Sequence, residues 1–179
     1  MEYNIVLKNK TKLLLNFNDL NISDINQIND IIFLKYKFST KTQTELDKFC
    51  KLIYKLPNLS SVKLLDIKLN NFEYIINKLQ ILNLTNLDLS SNNIKYIYNN
   101  FSKLYSLQNI NLDSNNIHKL KYIPKNIKIL SINSNYLKTI PTYLYNLNEL
   151  YLDNNNITKI PNNLKYSNLS TLSLKFNKI

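Results

Sequence analysis

Few side chains in this chain of 179 residues are suited to covalent or acid–base chemistry. His118 is its single histidine and Cys50 its single cysteine. Cys50 falls in a helical pattern far from His118, so no cysteine–histidine nucleophile pair is expected, and the thiol reads as a small buried hydrophobe. A metal centre needs His, Cys or carboxylates clustered at ligand spacing. Asp66, Asp88, Asp113, Glu149 and Asp153 are instead strung out along the chain. Glycine is absent, which removes phosphate-binding loops and dinucleotide fingerprints. Arginine is absent too, and with it the bidentate reading of bases. No enzymatic activity, cofactor or metal is expected. These residues suit a non-covalent surface, with acids for a basic segment and Tyr151 as an aromatic anchor.

A repeat positions them. Six times the chain runs aliphatic, two residues, aliphatic, one residue, aliphatic, two residues, asparagine. The units read Val62, Leu65, Ile67, Asn70; Leu84, Leu87, Leu89, Asn92; and Leu107, Ile110, Leu112, Asn115. They continue Ile127, Leu130, Ile132, Asn135; Leu147, Leu150, Leu152, Asn155; and Leu169, Leu172, Leu174, Asn177. The first aliphatics lie 20 to 23 residues apart. Alternation over Leu87-Asp88-Leu89 is strand geometry, with aliphatics to one side and the intervening residue to the other. A single coil cannot bury its aliphatic face, so neighbours must stack into a continuous core.

This period and internal spacing resemble the leucine-rich repeat family. The resemblance implies an α/β solenoid with a curved parallel sheet on its concave side. The convex side is expected to be irregular or 3₁₀, with one or two helical segments, since Ile123-Pro124, Ile140-Pro141 and Ile160-Pro161 suit extended turns. Asn70, Asn92, Asn115, Asn135, Asn155 and Asn177 are assigned a structural role. An amide has donors and an acceptor, and can satisfy backbone groups of its own turn and of the next coil.

The resemblance also implies a function, binding of another protein through the concave face. Its central row is expected to be Asp66, Asp88, Asn111, Ser131, Tyr151 and Ser173. The next row is Lys68, Ser90, Asp113, Asn133, Asp153 and Lys175, with Glu149 alongside. The formal charge of +11 lies elsewhere, because this face carries four lysines (Lys63, Lys68, Lys128, Lys175) against five acids. Lys95, His118/Lys119, Lys138 and Lys159 recur in consecutive coils on the convex side, which offers an alternative electrostatic binder of nucleic acid or acidic surfaces. The tyrosines look irregularly scattered, so no base-stacking platform is expected. A further alternative is a regulatory or substrate-recruiting subunit of a larger complex.

Residues 1–61 fit the repeat poorly and read as a divergent capping region, with 62–179 holding the six repeats, the last incomplete. Ile5–Leu7 and Leu13–Leu15 suggest an opening hairpin, and Ile31, Leu34 and Tyr36 a divergent coil. Thr42-x-x-Glu45 forms a capping box before Leu46, Phe49, Ile53 and Leu56, which predicts a helix over 43–56 stopped by Pro57. At the other end Leu169–Ile179 forms an apolar edge open to self-association. No run of 18 apolar residues would span a membrane. A lone cysteine and no secretory stretch point to an intracellular, cytoplasmic location. An Asn-, Ile-, Lys- and Tyr-rich composition without Ala or Arg implies an AT-rich genome.

Overall fold

The computed structural model describes residues 2–7, 12–16, 31–37, 42–67, 69–142, 144–162 and 168–179. Nine strands among the described residues form one open sheet in the order β2-β1-β3-β4-β5-β6-β7-β8-β9. At the N-terminal end β1 (Glu2–Leu7) pairs antiparallel with both β2 (Lys12–Asn16) and β3 (Ile31–Lys37). From β3 onward every pairing is parallel, through β4 (Ser61–Leu65), β5 (Asn86–Asp88), β6 (Asn109–Asn111), β7 (Ile129–Ser131), β8 (Glu149–Tyr151) and β9 (Thr171–Ser173). Leu87, Ile110, Leu130, Leu150 and Leu172 stand opposite one another strand after strand. The first four are buried, and each contributes roughly 1.5–3 kcal/mol by leaving water.

The first repeat lies in a different phase from the sequence reading. Val62 pairs with Leu87, and the aliphatics matching Leu84, Leu87 and Leu89 are Leu59, Val62 and Leu64, all buried. Leu59-x-x-Val62-x-Leu64 and Val62-x-x-Leu65-x-Ile67 satisfy the same spacing, and Asn70 favoured the wrong one. Ile67 therefore occupies the place that Asn92 holds in the following coil. Asn70 lies in helix α2 (Leu69–Leu79). That helix follows from Phe72, Ile75, Ile76 and Leu79, which share one face and are all buried.

Helix α1 (Gln43–Tyr54) starts where the Thr42 hydroxyl oxygen accepts the Glu45 backbone N–H at 3.3 Å. It ends at Tyr54, two residues before the expected limit, with Lys55 as its C-cap. Leu46, Phe49 and Ile53 bury its inner stripe. Further along the chain the coils are too short for such a return. A 3₁₀ turn (Asn99–Lys103) lies between β5 and β6 in the chain, its Phe101 ring stacked 6.3 Å from Phe72 of α2. No helix among the described residues is long and apolar enough to cross a membrane.

Candidate functional site

Two hydrogen-bonded ladders hold the concave face in place. The inner one is built from the asparagines. Asn115 donates from Nδ2 to the carbonyls of Leu112 and Asp113 in its own turn and of Leu89 in the preceding coil. Its Oδ1 accepts the backbone N–H groups of Asn92 and Ile94. Asn92, Asn135, Asn155 and Asn177 each repeat the pattern, donating to Leu64, Leu112, Ile132 and Leu152 of the coil before. The amide thus reaches back to the preceding coil, not forward. Asn92, Asn115, Asn135 and Asn155 are buried, so each bond replaces one that water can no longer supply.

The residue just before each ladder position turns the chain through a left-handed conformation. These are Asp66 (φ 59°), Ser91 (58°), Ser114 (54°), Ser134 (53°), Asn154 (55°) and Phe176 (57°). Glycine would fit best, but the chain has none, and Asp, Asn and Ser supply the turn at lower cost than bulky side chains. The placement corrects another expectation. Asp66 sits in the turn and pairs at 3.5 Å with Lys37, while Lys63 takes its place opposite Asp88 in the central row.

The central row therefore runs Lys63, Asp88, Asn111, Ser131, Tyr151 and Ser173. All six side chains are half-buried. Lys63 meets Asp88 Oδ2 at 2.6 Å, and the Ser90 backbone N–H donates to Asp88 Oδ1 at 2.9 Å. Burial raises the Asp88 pKa, but the hydrogen bonds from Lys63 and Ser90, with the Lys63 charge, outweigh it and hold the carboxyl below its ordinary value. The Tyr151 hydroxyl donates to Glu149 Oε2 at 2.7 Å, and that bond, burial and the Glu149 charge together raise the phenol pKa.

The neighbouring row forms the second ladder. Asp113 Oδ1 accepts the Ser131 hydroxyl and the Asn133 backbone N–H, both at 2.7 Å. Asn133 Oδ1 accepts the Asp153 backbone N–H at 2.7 Å. Asp153 Oδ1 in turn accepts the Ser173 hydroxyl at 2.6 Å and the Lys175 backbone N–H at 2.8 Å. Sequence reasoning placed these residues on the surface and missed that their side chains cap the next coil. Lys68, assigned to the same row, lies outside the described residues.

Other sequence-derived candidates are dispersed. Lys95, Lys119, Lys138 and Lys159 are exposed, as is His118, whose ring lies 5.1 Å from that of Tyr136. Cys50 is buried in α1, and burial is the main cause of its raised pKa, ahead of the opposing Lys78 charge. In the last coil Leu169 and Leu174 are partly buried, while Leu172, Phe176 and Ile179 are exposed.

This coil geometry has counterparts among solved structures. Internalin C2 from Listeria monocytogenes matches with a TM-score of 0.60 and 23% identity, over 93% of this chain and 77% of that one. The fold is a leucine-rich repeat solenoid. The leucine-rich repeat protein LIC12759 of Leptospira interrogans matches with a TM-score of 0.57 and 28% identity, over 72% of this chain and 34% of that chain. TLR13, solved in complex with ssRNA13, matches with a TM-score of 0.60 and 19% identity, over 91% of this chain and 31% of that chain. The solenoid thus spans about a third of the length of the latter two. No protein-family model matches it, and no curated protein matches it in sequence.

Proposed function

We propose that the solenoid is a non-enzymatic protein-interaction module whose concave face, over β6 to β8, binds a basic segment of a partner. One observation carries this reading. Asp113 and Asp153 each cap a backbone N–H of the next coil through Oδ1 alone, Asp113 Oδ2 having only a 3.5 Å contact from the Asn133 amide, and Asn133 caps the Asp153 N–H in the same way with a neutral amide. The ladder therefore needs an acceptor and not a charge. Asp113 on the β6 coil and Glu149 and Asp153 on the β8 coil, all half-exposed, flank the acid-free β7 coil, while Asp88 is already neutralised by Lys63. Tyr151 stands among them, tethered to Glu149 and so pre-organised for contact.

The test follows from the same geometry. Asp113→Asn with Asp153→Asn keeps the capping oxygens and removes both charges. Partners captured by the wild-type protein from a native lysate should be identified by mass spectrometry and re-tested with this variant and with Tyr151→Ala. Loss of a basic partner from both, with the melting temperature unchanged, supports the reading. A partner retained by both but lost on Lys95→Glu with Lys138→Glu would place binding on the convex side and overturn it.

A further inference from the structure

Two of the tyrosines that look irregular in sequence, Tyr105 and Tyr145, fall into register on the rim that leads into the strands. Leu104–Leu107, Pro124–Ile127 and Leu144–Leu147 are three superposable turns, each closed by the backbone N–H of its last residue to the carbonyl of its first, at 3.1, 3.4 and 3.3 Å. The second residue of each turn is Tyr105, Lys125 and Tyr145, each four positions before its strand. Asn126 Nδ2 donates to the Tyr105 carbonyl at 2.9 Å and Asn146 Nδ2 to the Lys125 carbonyl at 3.0 Å, so the amides pin neighbouring turns together. On this fixed frame the rings are largely free, with Tyr105 70% and Tyr145 69% exposed.

Two grooves meet at this row. One, of about 770 Å³, runs past Tyr105, Gln108 and Lys128. The other, of about 600 Å³, is lined by Lys121, Tyr122, Lys125 and Tyr145. Asn146 lines both, and among the described residues no acidic one lines either. Tyr122 is held at φ 61°, an unfavourable conformation for a bulky residue, with its side chain 47% exposed.

We infer that this rim, through Tyr105, Lys125 and Tyr145, binds single-stranded nucleic acid. The chemistry selects that ligand. An acidic peptide would pair with the lysines and leave the rings unused. A neutral glycan would use the rings and amides and leave the lysines unused. A duplex offers phosphates but keeps its base faces stacked on one another. A single strand uses every component, with bases on the tyrosine rings, phosphate at the lysine between them and base edges toward the amides. Tyr105 and Tyr145 are two coil steps apart, about 10 Å, which leaves room for the intervening phosphate at Lys125. This surface differs from both the concave acids and the convex lysines.

Fluorescence anisotropy with labelled oligouridylate and oligothymidylate, on the full chain at low salt, tests the inference. Wild type should bind both strands and prefer them to a duplex of equal length and to polyglutamate. Tyr105→Ala with Tyr145→Ala should weaken binding about tenfold or more. Tyr105→Phe with Tyr145→Phe should bind like wild type, and circular dichroism checks that all variants fold. Lys125→Gln should lower the salt slope by about 0.7, one phosphate contact. The inference fails if duplex or polyglutamate binds as tightly as the single strand. It fails equally if the double alanine variant binds like wild type, or if the double phenylalanine variant loses as much as alanine.

Discussion

The backbone N–H of Asn133 donates to Oδ1 of Asp113 in the preceding coil at 2.7 Å. The next step repeats it, with the Asp153 N–H on Asn133 Oδ1 at the same distance. Carboxylate and amide are interchangeable as caps, and this separates structural cost from charge. Asp113→Asn should leave stability within about 0.5 kcal/mol of wild type, because the capping oxygen stays. Asp113→Ala removes it, frees the Ser131 hydroxyl and the Asn133 N–H, and should cost about 1–2 kcal/mol in urea unfolding.

Removal of an inner rung should cost more. Asn115→Ala leaves the buried N–H groups of Asn92 and Ile94 without their acceptor, while the Leu89 and Leu112 carbonyls keep the amides of Asn92 and Asn135. A loss of at least about 2 kcal/mol is expected, set by unpaired buried groups more than by the bonds themselves. Asn177, partly buried and at the edge of the sheet, should cost clearly less. Equal losses at the two positions would mean that burial does not set the strength of the ladder.

Five coils were legible from their asparagines because each rung needs an amide between buried backbones. The first coil was not, since Ile67 replaces the amide and two apolar registers fit the same spacing. What separates the registers is the left-handed turn at Asp66, a backbone property that residue type signals weakly. Helix α2 was hidden for a related reason. Asn70 and Phe72 match the repeat template, while Phe72, Ile75, Ile76 and Leu79 match a helix, and their burial favours the helix. The alignment of Asp88, Asn111, Ser131, Tyr151 and Ser173 along one row follows from the repeat, but the caps between coils join residues some 20 positions apart and depend on side-chain direction. The tyrosine row escaped notice because Lys125 interrupts it and because it is counted backward from the strand.

The left-handed turn yields a stabilising substitution. Phe176 holds φ 57° with its ring 79% exposed, so little packing offsets the backbone cost. Asn154 fills the same position one coil earlier. Phe176→Asn should therefore raise stability by about 1 kcal/mol, measured by urea unfolding, and Asn154→Phe should lower it by a similar amount. A destabilised Phe176→Asn variant would show that the exposed ring makes a contact worth more than the strain.

Acid should weaken the solenoid through Asp88. Its folded-state pKa lies below the ordinary carboxylate value because Lys63 and Ser90 favour the charged form more than burial opposes it. A depressed folded pKa means that the unfolded chain binds the proton more readily. The resulting stabilisation is fully present above the unfolded-state pKa and is lost as pH falls through the folded one. Urea midpoints measured from neutral pH downward should fall across that carboxylate range in wild type. The fall should be shallower in Asp88→Asn, which keeps an acceptor for Ser90 and has no proton to gain. Lys63→Met should also flatten it, by removing the charge that depresses the pKa, at the cost of leaving Asp88 half-buried without its cation. If Asp88→Asn and wild type lose stability in parallel, the acid sensitivity belongs to other carboxylates and the Lys63–Asp88 pair contributes no pH-dependent stability.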